Sequence, residues 1–353
     1  MSRNCTVSIE GTAATFECGE EYVLDAAIAA GLNVPYNCRG GACGTCKAEV
    51  LEGAVEHGWV MGFAITDEEV SQGKCLICSS KPKSDRLLLR MVNRAAISQD
   101  ARVLIPREYS ALVVAAHDLT PSVRLVTVQM PPDQPFSFYA GMYMEIRLDG
   151  VEPSRPYSIA NAPTGEGAAP DGMISFLIAR HEHGIASSRL HQDTRPGDKL
   201  RLHGPYGTFR LPESSNGATL LLGGGTGLAP LYSLAIEALE RGHGDPIELW
   251  FSVRTRNDLF FLQELRRLAC RYAHFSFRFF LTRAAQAEDL PDRWHIGRIT
   301  QHLADSPDLT RAKRILIAGS PAFVNACRDC AVRHGVSADA VLTEAYESKF
   351  SRG

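Results

Sequence analysis

The hydrophobic and polar positions of the chain change their period along its length. Between residues 107 and 213, apolar and polar residues alternate in short runs separated by turn-forming residues. This period of two is typical of half-buried β-strands. The runs are SALVVAAHD, SVRLVTVQM, YMEIRLDG, MISFLIAR and DKLRLHGP. Their spacing predicts an antiparallel β-barrel or sandwich.

From residue 217 onward, continuous apolar runs alternate with segments of helical period. The apolar runs are ATLLLGGG, IELWFSV, FSFRFFLT and RILIAGS. The helical segments between and after them are LAPLYSLAIEALERG, LFFLQELRRLA and PAFVNACRDCAVRHG. Strand and helix alternation of this kind predicts a parallel sheet covered by helices.

The N-terminal segment has shorter elements. TVSIEGTAATFEC predicts two short strands joined by a glycine turn, and EYVLDAAIAAG predicts a helix that ends at Gly31. We therefore predict a multidomain chain of α+β and α/β class. Its domains span residues 1–95, 107–213 and 214–353, and a linker spans residues 96–106.

Composition and charge exclude several classes of protein. The 353 residues are 45% hydrophobic and 22% charged, which is typical of a globular protein. The net charge of −3 leaves no basic footprint, so we expect no nucleic-acid partner. The apolar stretch 218–239 contains three consecutive glycines and Pro230, which favours strand, loop and helix over a membrane span. The start MSRNCTVSIE lacks a signal-peptide pattern, so we expect a cytoplasmic chain with reduced thiols.

Seven of the ten cysteines lie in the first 90 residues, and three of them lie in the stretch NCRGGACGTC. The spacing Cys38-x4-Cys43-x2-Cys46, followed by Cys78 after 31 residues, is the plant-type [2Fe–2S] arrangement. The glycines of this stretch allow tight turns and let amide N–H groups approach the sulfurs. They are Gly40, Gly41 and Gly44.

A structural zinc site is the alternative for these thiols. Cys43–Cys46 and Cys75–Cys78 form two C-x2-C pairs, which is a ligand set that zinc prefers. That set leaves Cys38 unused and the glycines unexplained.

A family resemblance begins in this segment. YNCRGGACGTCKAEVLEG, followed by GKCLICSSKPKSD, closely resembles the plant-type ferredoxin domain of bacterial oxygenase reductases. The resemblance implies a β-grasp fold and one [2Fe–2S] cluster held by Cys38, Cys43, Cys46 and Cys78. The family's last ligand precedes a small residue pair and a proline, as Cys78 does in CSSKP. In this assignment the Cys75 thiol is packed in the protein core. The alternative is that Cys75 replaces Cys78 as the fourth cluster ligand.

The second segment resembles the flavin domain of the ferredoxin–NADP reductase superfamily. SRPYSIAN matches the motif R-x-Y-S, with Pro156 between Arg155 and Tyr157. The resemblance implies that Arg155 pairs with a flavin pyrophosphate, that Tyr157 stacks on the isoalloxazine, and that Ser158 hydrogen-bonds near its reactive nitrogen. FAD is favoured over FMN because relatives with an N-terminal ferredoxin usually carry FAD.

Three further matches follow the same order as in that superfamily. FYAGMY at residues 138–143 resembles F-x-A-G-Q-Y, with Met142 in place of glutamine. GIASSRLH places Gly184 and Ser187 at a helix N-terminus, which is a seat for pyrophosphate. GPYGTFRL, which contains Gly207, resembles the segment beside the flavin.

The third segment resembles the superfamily's nucleotide-binding domain. LLLGGGTGLAPLYSL has a glycine turn between a strand and a helix, a geometry that binds pyrophosphate. The turn has the superfamily form G-G-G-T-G-x-A-P and not the Rossmann form G-x-G-x-x-G. The predicted nucleotide-binding residues of the turn are Gly224, Gly225, Thr226 and Gly227.

The coenzyme is predicted from the end of the second strand of this segment. IELWFSV is followed by Arg254 and Arg256 and lacks the acidic residue that holds a ribose 2′-hydroxyl. Two arginines suit a 2′-phosphate and hence NADPH. The alternatives are that they are solvated loop charges or that they contact the adenosine of NADH. Aromatic-oxygenase reductases with a similar arginine generally use NADH, so we predict NADH.

The chain departs from the family near its end. The family has C-G-P beside the nicotinamide, whereas this chain has Ala318 followed by Gly319, Ser320 and Pro321. The departure means that no thiol lines the hydride path at this position. It does not affect hydride transfer itself, which is the chemistry of the cofactors. AVLTEAYESKF resembles the closing strand of the family, which implies Glu344 near the flavin edge and Tyr346 shielding the ring.

The assembled resemblance implies an NADH-dependent flavin iron–sulfur oxidoreductase. NADH reduces FAD, the cluster carries single electrons, and the ferredoxin domain delivers them to a terminal oxygenase. Tyr157, Ser158 and Glu344 are the predicted catalytic residues. We expect a monomer whose partner is a Rieske-type dioxygenase of aromatic hydrocarbon catabolism. The alternatives are the reductase of a diiron hydroxylase, such as phenol hydroxylase, or of another cluster enzyme, and, more remotely, a non-enzymatic iron–sulfur sensor or zinc protein.

Overall fold

The computed structural model describes residues 4–13, 15–62, 64–93, 103–165, 168–181, 184–211, 217–284 and 292–346. The chain forms two compact units. The first consists of Met1–Arg107, Pro205–Phe209 and Glu347–Gly353, and the second of Glu108–Gly204 and Arg210–Tyr346. Most of the linker predicted over 96–106 lies outside the described residues, and residues 103–106 have no regular structure.

The first unit contains a mixed sheet with the helices α1 and α2. Its elements are β1 Cys5–Ile9, β2 Thr15–Cys18, α1 Val23–Ala29, β3 Lys47–Glu52, β4 Val55–His57, α2 Asp67–Ser71, β5 Lys74–Leu76, β6 Ser80–Pro82 and β7 Arg86–Met91. The sheet order is β2-β1-β7-β3-β5, and β4 pairs with β6 in a separate two-stranded sheet. Strands β1 and β7 are parallel, and the other pairs of the larger sheet are antiparallel. The two strands and the helix predicted at the N-terminus are thus confirmed.

Helix α1 ends where its sequence predicts. Gly31 has a φ of 74°, a conformation that costs glycine little. Its N–H donates to the carbonyl of Ile28, and the N–H of Leu32 donates to the carbonyl of Ala27, both at 3.0 Å. This pair of bonds is the Schellman motif, which satisfies the last carbonyls of the helix and turns the chain toward the cysteines.

The second unit begins with an antiparallel barrel. Its elements are β8 Arg107–Thr120, β9 Val123–Gln129, β10 Tyr143–Leu148, β11 Val151–Ser158, β12 Met173–Ala179, α3 Ile185–Gln192 and β13 Lys199–Tyr206. The sheet order is β11-β10-β13-β8-β9-β12. An antiparallel bridge between Ile159 and Phe176 joins its two edges, so the sheet closes. The alternating runs of the sequence predicted every strand of this barrel except β11. That strand contains two prolines and has no alternating pattern.

A parallel sheet forms the rest of the second unit. Its elements are β14 Thr219–Gly224, α4 Leu228–Glu240, β15 Ile247–Val253, α5 Leu262–Arg271, β16 Phe275–Leu281, β17 Trp294–Ile296, α6 Ile299–Leu303, α7 Pro307–Arg311, β18 Arg314–Gly319, α8 Pro321–Arg333 and β19 Val341–Ala345. The order β17-β16-β15-β14-β18-β19 confirms the predicted α/β arrangement and adds the short strand β17. Every adjacent pair is parallel.

The strand order reverses at β14, since β15 lies on one side and β18 on the other. Such a reversal leaves a crevice at the carboxyl ends of the two strands, where nucleotides bind in α/β sheets. Both β14 and β18 end in glycine at this edge. In the described part of the chain no helix is long and apolar enough to cross a membrane.

Candidate functional site: two thiol pairs, a flavin strand and a nucleotide-binding turn

The four predicted cysteine ligands lie in the first unit as two pairs of thiols. The thiol of Cys38 interacts with that of Cys43, and we call these two residues the first thiol pair. The thiol of Cys46 interacts with that of Cys78, and we call these two residues the second thiol pair. Hydrogen bonding within each pair lowers the pKa of Cys38 to about 6 and lowers that of Cys78, and it raises the pKa of Cys43 and of Cys46. Two thiolates for each of two irons is the ligand set of a [2Fe–2S] cluster.

Backbone amides point at the sulfurs of these pairs. The N–H groups of Gly40 and Ala42 both donate to the Cys38 sulfur at 3.4 Å. The N–H of Gly41 donates to the Cys78 sulfur at 3.3 Å, across 37 positions of sequence. Donors in these positions stabilise thiolates, so the cysteine loop (residues 37–46) fits a negatively charged cluster. Two hydroxyl groups that the sequence analysis did not single out also contact the ligands: Thr45 at Cys43 and Ser79 at Cys78.

Two of the three predicted loop glycines are required by the backbone. Gly41 has a φ of 77°, and a Cβ there would lie 2.6 Å from the Trp59 carbonyl oxygen. Gly44 has a φ of 73°, and its Cβ would lie 3.0 Å from the Ala64 carbonyl oxygen. Gly40 has no such restriction, because the nearest atom to its Cβ would be 3.6 Å away.

Cys75 lies in β5 opposite Ala48 and is fully buried. Its thiol is hydrogen-bonded to Ser80, and burial raises its pKa to about 12. The Cys75 thiol thus contacts a hydroxyl group, whereas each of the four predicted ligands contacts a second thiol. No group of three or more His, Cys, Asp or Glu side chains that could hold a single metal ion occurs among the described residues.

In the second unit, the motif Arg155-Pro156-Tyr157-Ser158 forms the end of β11. Its register with β10 places Ser158 opposite Tyr143 and Tyr157 opposite Met144. Ser158 is buried, and burial raises the pKa of Tyr157 to about 12. The strand therefore holds the phenol neutral and presents a single hydroxyl at its end.

That hydroxyl meets the closing strand of the parallel sheet. Ser158 Oγ donates to Glu344 Oε1 at 3.4 Å and lies 3.1 Å from Tyr346 Oη. Glu344 is 3% exposed, and burial raises its pKa to about 8. Its other oxygen, Oε2, is buried without a hydrogen-bond partner in the protein. A buried orphan oxygen beside a hydroxyl and a phenol fits a site that a polar ring system completes.

The residues predicted to bind the flavin pyrophosphate have other contacts. The Arg155 guanidinium donates to the carbonyl of Pro153 in its own strand. Gly184 is the N-cap of α3, as predicted, and Ser187 Oγ donates to its carbonyl at 3.1 Å. Gly207 has a φ of 104° and lies in the segment of the first unit that spans residues 205–209. Binding of a pyrophosphate by these residues stays a prediction.

The glycine turn after β14 is shaped partly by protein packing. A Cβ on Gly224 would lie 2.9 Å from the ring of Phe323, and a Cβ on Gly227 would lie 2.1 Å from the Ala318 carbonyl oxygen. Gly225 has a φ of 55° and open space where a Cβ would be. Gly225 and Thr226, in the short turn before α4, are thus the positions whose surroundings leave room for a ligand.

The neighbouring strand β18 ends beside this turn. Gly223 and Ala318 are partners in the β14–β18 ladder, so Gly319 and the glycine turn lie at one edge. The Ser320 hydroxyl accepts from the Phe323 N–H at 3.4 Å as the N-cap of α8, and Pro321 is the first residue of that helix.

The two predicted arginines follow β15 and are exposed. The Arg256 guanidinium lies over the Trp294 ring at 5.1 Å from its centre. Between the arginines, Thr255 is tied to Asp258 by a capping box. Asp258 is therefore an acidic group close to the strand end that the sequence pattern did not reveal.

Comparison with protein families supports all three segments. Residues 7–83 match the 2Fe-2S iron-sulfur cluster binding domain, residues 110–211 the oxidoreductase FAD-binding domain, and residues 221–329 the oxidoreductase NAD-binding domain. These matches confirm the predicted cofactors: one [2Fe–2S] cluster, FAD and a nicotinamide nucleotide. They also confirm the prediction of an oxidoreductase.

Several known proteins match most of the chain. The phenol hydroxylase P5 protein of Acinetobacter pittii is 32% identical over 304 residues, which cover 85% of this chain and 82% of that protein. The phenol 2-monooxygenase reductase component DmpP of Pseudomonas is 32% identical over 83% of this chain and 79% of that protein. The reductase subunit of an Amycolatopsis aromatic O-demethylase is 32% identical over 77% of this chain and 78% of that protein.

Solved structures show the same fold. The Amycolatopsis cytochrome P450 reductase GcoB has a TM-score of 0.81 at 28% identity, covering 98% of this chain and 100% of that chain. The ferredoxin reductase of carbazole 1,9a-dioxygenase has a TM-score of 0.71 at 26% identity, covering 98% of this chain and 99% of that one. With its cluster, FAD and nucleotide domains in this order, the chain belongs to the family of iron–sulfur flavoprotein reductase components of oxygenase systems.

Proposed function

We propose that this chain oxidises NADH and delivers single electrons to the terminal oxygenase of a multicomponent system. One observation carries the proposal. The same chain contains the two thiol pairs, the flavin strand β11 and the nucleotide-binding turn after β14. When bound, FAD accepts a hydride and the cluster carries one electron at a time. The protein's part is to hold these groups and to control protons.

In this proposal the two thiol pairs would supply the four ligands of the cluster. The amides of Gly40, Gly41 and Ala42 stabilise the charge of the thiolates. Cys75 takes no part, because its thiol bonds to Ser80.

At the flavin, Arg155 and the N-terminus of α3 near Gly184 and Ser187 would hold the pyrophosphate. Tyr157 would stack on the flavin ring. Ser158 and Glu344 are the groups that handle a proton: the buried Glu344 carboxyl has a pKa of about 8, so it is mostly protonated at neutral pH. A neutral carboxyl at this position avoids a costly buried charge. Tyr346 would shield the edge of the flavin ring at this point.

At the nucleotide, the turn with Gly224, Gly225, Thr226 and Gly227 binds the pyrophosphate through the N-terminus of α4. The edge with Gly319, Ser320 and Pro321 lies against the nicotinamide. We propose NADH as the coenzyme. The stacking of Arg256 on Trp294 supports this choice, because it gives that arginine a role that needs no 2′-phosphate. Arg254 then faces the adenosine or solvent.

The proposal also concerns the class of oxygenase that receives the electrons. The sequence predicts a Rieske-type ring-hydroxylating dioxygenase, and the carbazole 1,9a-dioxygenase reductase supports it. The relatives at 32% identity include a phenol hydroxylase P5 protein and the reductase component of a phenol 2-monooxygenase, which supports the alternative. We therefore propose a hydroxylase of the phenol monooxygenase kind as the first candidate and a ring-hydroxylating dioxygenase as the second. We also keep the domain boundaries 1–95, 107–213 and 214–353 and the cytoplasmic location as proposals.

An anaerobic absorbance titration tests the electron path and the coenzyme. The protein is titrated with NADH and, separately, with NADPH. We expect NADH to bleach the overlapping flavin and cluster bands until about three electrons have entered each chain, two for FAD and one for the cluster. Bleaching by NADPH alone would overturn the choice of coenzyme. Bleaching of the flavin without the cluster would overturn the electron path.

The partner is tested by product formation. The reduced protein is mixed with the purified oxygenase component of a phenol 2-monooxygenase and, in parallel, with that of carbazole 1,9a-dioxygenase, each with its aromatic substrate. Faster product formation with the first supports the first candidate, and faster formation with the second supports the second. Ferricyanide reduction without product in either mixture would show that the acceptor belongs to another class.

A further inference from the structure

Helix α4 carries a buried serine whose hydroxyl group bonds to a residue outside the helix. Ser233 is 0% exposed and lies on an otherwise largely apolar helix. Its Oγ donates to the carbonyl oxygen of Asn161 at 2.8 Å. A serine inside a helix usually faces solvent or bonds to a carbonyl of its own helix. Here it bonds to a residue 72 positions earlier, which lies just after the flavin strand β11.

Asn161 is itself held tightly. Its side-chain amide donates to the carbonyl of Met173 at 3.1 Å, and its side-chain oxygen accepts from the N–H of Ser175 at 2.8 Å. Both partners belong to β12, the strand that closes the barrel. The carbonyl that Ser233 meets is therefore a fixed point of the barrel, and it lies three residues after Ser158.

Helix α4 begins directly after the glycine turn at Gly225–Gly227, less than two turns before Ser233. The helix packs against β14 and β18, and most of the residues that it buries are apolar. A directional hydrogen bond specifies position in a way that apolar packing does not. One such bond thus relates the nucleotide-binding turn to the flavin strand.

We infer that Ser233 is a positioning residue for hydride transfer: its bond to the Asn161 carbonyl sets the place of the nucleotide turn relative to the flavin strand. The inference rests on the proposed function, since it concerns the geometry between NADH and FAD. A misplacement of the reacting groups by about 1 Å can lower a rate about a hundredfold. We therefore expect loss of the Ser233 hydroxyl to lower the rate constant of flavin reduction and to leave the affinity for NADH unchanged.

The experiment is anaerobic stopped-flow reduction of the holoprotein, with the flavin band monitored over a range of NADH concentrations. For Ser233→Ala we expect the limiting rate constant of flavin reduction to fall about tenfold, with the NADH dissociation constant within about twofold of wild type. With NADH deuterated at the transferred position, we expect a larger kinetic isotope effect in the variant. Flavin and iron content should be unchanged.

Ser306→Ala is the matched control. Ser306 is also buried, and its hydroxyl caps the short helix α7. Its loss should lower the melting temperature as much as Ser233→Ala does, without slowing reduction. Ser233→Cys, which keeps a weak donor, provides a second variant if Ser233→Ala folds poorly, and it should fall between wild type and alanine. Asn161→Ala should slow reduction too, and the double variant should be less than additive.

The inference is overturned if Ser233→Ala lowers the melting temperature but keeps the limiting rate constant within twofold of wild type. It is also overturned if the whole effect lies in the NADH dissociation constant. Failure of wild-type flavin to be reduced by either nicotinamide nucleotide would be a different result, because it would reject the proposed function itself.

Discussion

The Ser158 hydroxyl lies 3.1 Å from the Tyr346 phenol oxygen, although 188 positions separate the two residues in the chain. The contact joins the end of a barrel strand to the residue that follows the last strand of the parallel sheet. Glu344 completes the group and is the more informative member, because its carboxyl is buried and one of its oxygens has no partner.

Replacing Glu344 should change how stability depends on pH. Burial raises the pKa of its carboxyl from 4.5 to about 8 in the folded protein. The folded state thus binds a proton that the unfolded state has released, so the unfolding free energy should fall as the pH rises from about 4.5 to about 8. Above that range the loss is complete, and it is on the order of a few kcal/mol.

Glu344→Gln keeps the shape and removes the titration. Chemical unfolding of the holoprotein at several pH values should give a flatter profile for the variant between pH 5 and pH 8. Parallel profiles for the two proteins would show that the carboxyl ionises normally.

The ligand assignment predicts opposite results for two neighbouring cysteines. Cys78→Ala should lose most of the iron and acid-labile sulfide, because it removes half of the second thiol pair. Cys75→Ala should keep a full cluster and cost only about 1 kcal/mol of stability for the small cavity left behind. Iron and sulfide analysis with visible circular dichroism measures both, and a full cluster in Cys78→Ala would assign the ligand to Cys75.

A methyl group should disturb the cysteine loop at Gly41, whereas Gly62, which lies outside the loop, should tolerate one. Gly41→Ala places a Cβ 2.6 Å from the Trp59 carbonyl oxygen at a φ of 77°, so we expect lower cluster content and a loss on the order of 2 kcal/mol. Gly62→Ala is the control, since nothing lies within 4 Å of its Cβ. Cluster content and chemical unfolding should separate the two variants. Equal behaviour would show that the loop adapts to the added methyl.

The arginines after β15 should matter little for NADH. Arg254→Ala and Arg256→Ala should each leave kcat/KM for NADH within about threefold of wild type, because neither is needed for a 2′-phosphate. If the chain used NADPH, loss of a phosphate ligand would cost roughly tenfold to a hundredfold. Steady-state kinetics with both nucleotides and ferricyanide as acceptor separates these cases.

Local patterns in the sequence predicted most of the secondary structure and the cofactor classes. Alternation over 107–213 predicted the barrel strands because each has one buried and one open face, and continuous apolar runs predicted the parallel strands because both faces are covered. The cysteine spacing predicted the cluster because an iron–sulfur loop is a local structure of a few residues. Strand β11 was missed because Pro153 and Pro156 interrupt its pattern, and β17 because it has only three residues.

Only the tertiary structure decided which distant groups meet. The thiol of Cys46 pairs with Cys78, Ser233 reaches Asn161, and Phe323 lies where Gly224 lacks a side chain. Each of these contacts depends on how separate elements pack, and no pattern within one element carries that information. The sequence alone therefore determined what kinds of group the chain binds, because those signals lie within single loops and strands. The relative placement of the groups that act on them was decided by the fold, because packing and hydrogen bonds between elements far apart in the chain determine it.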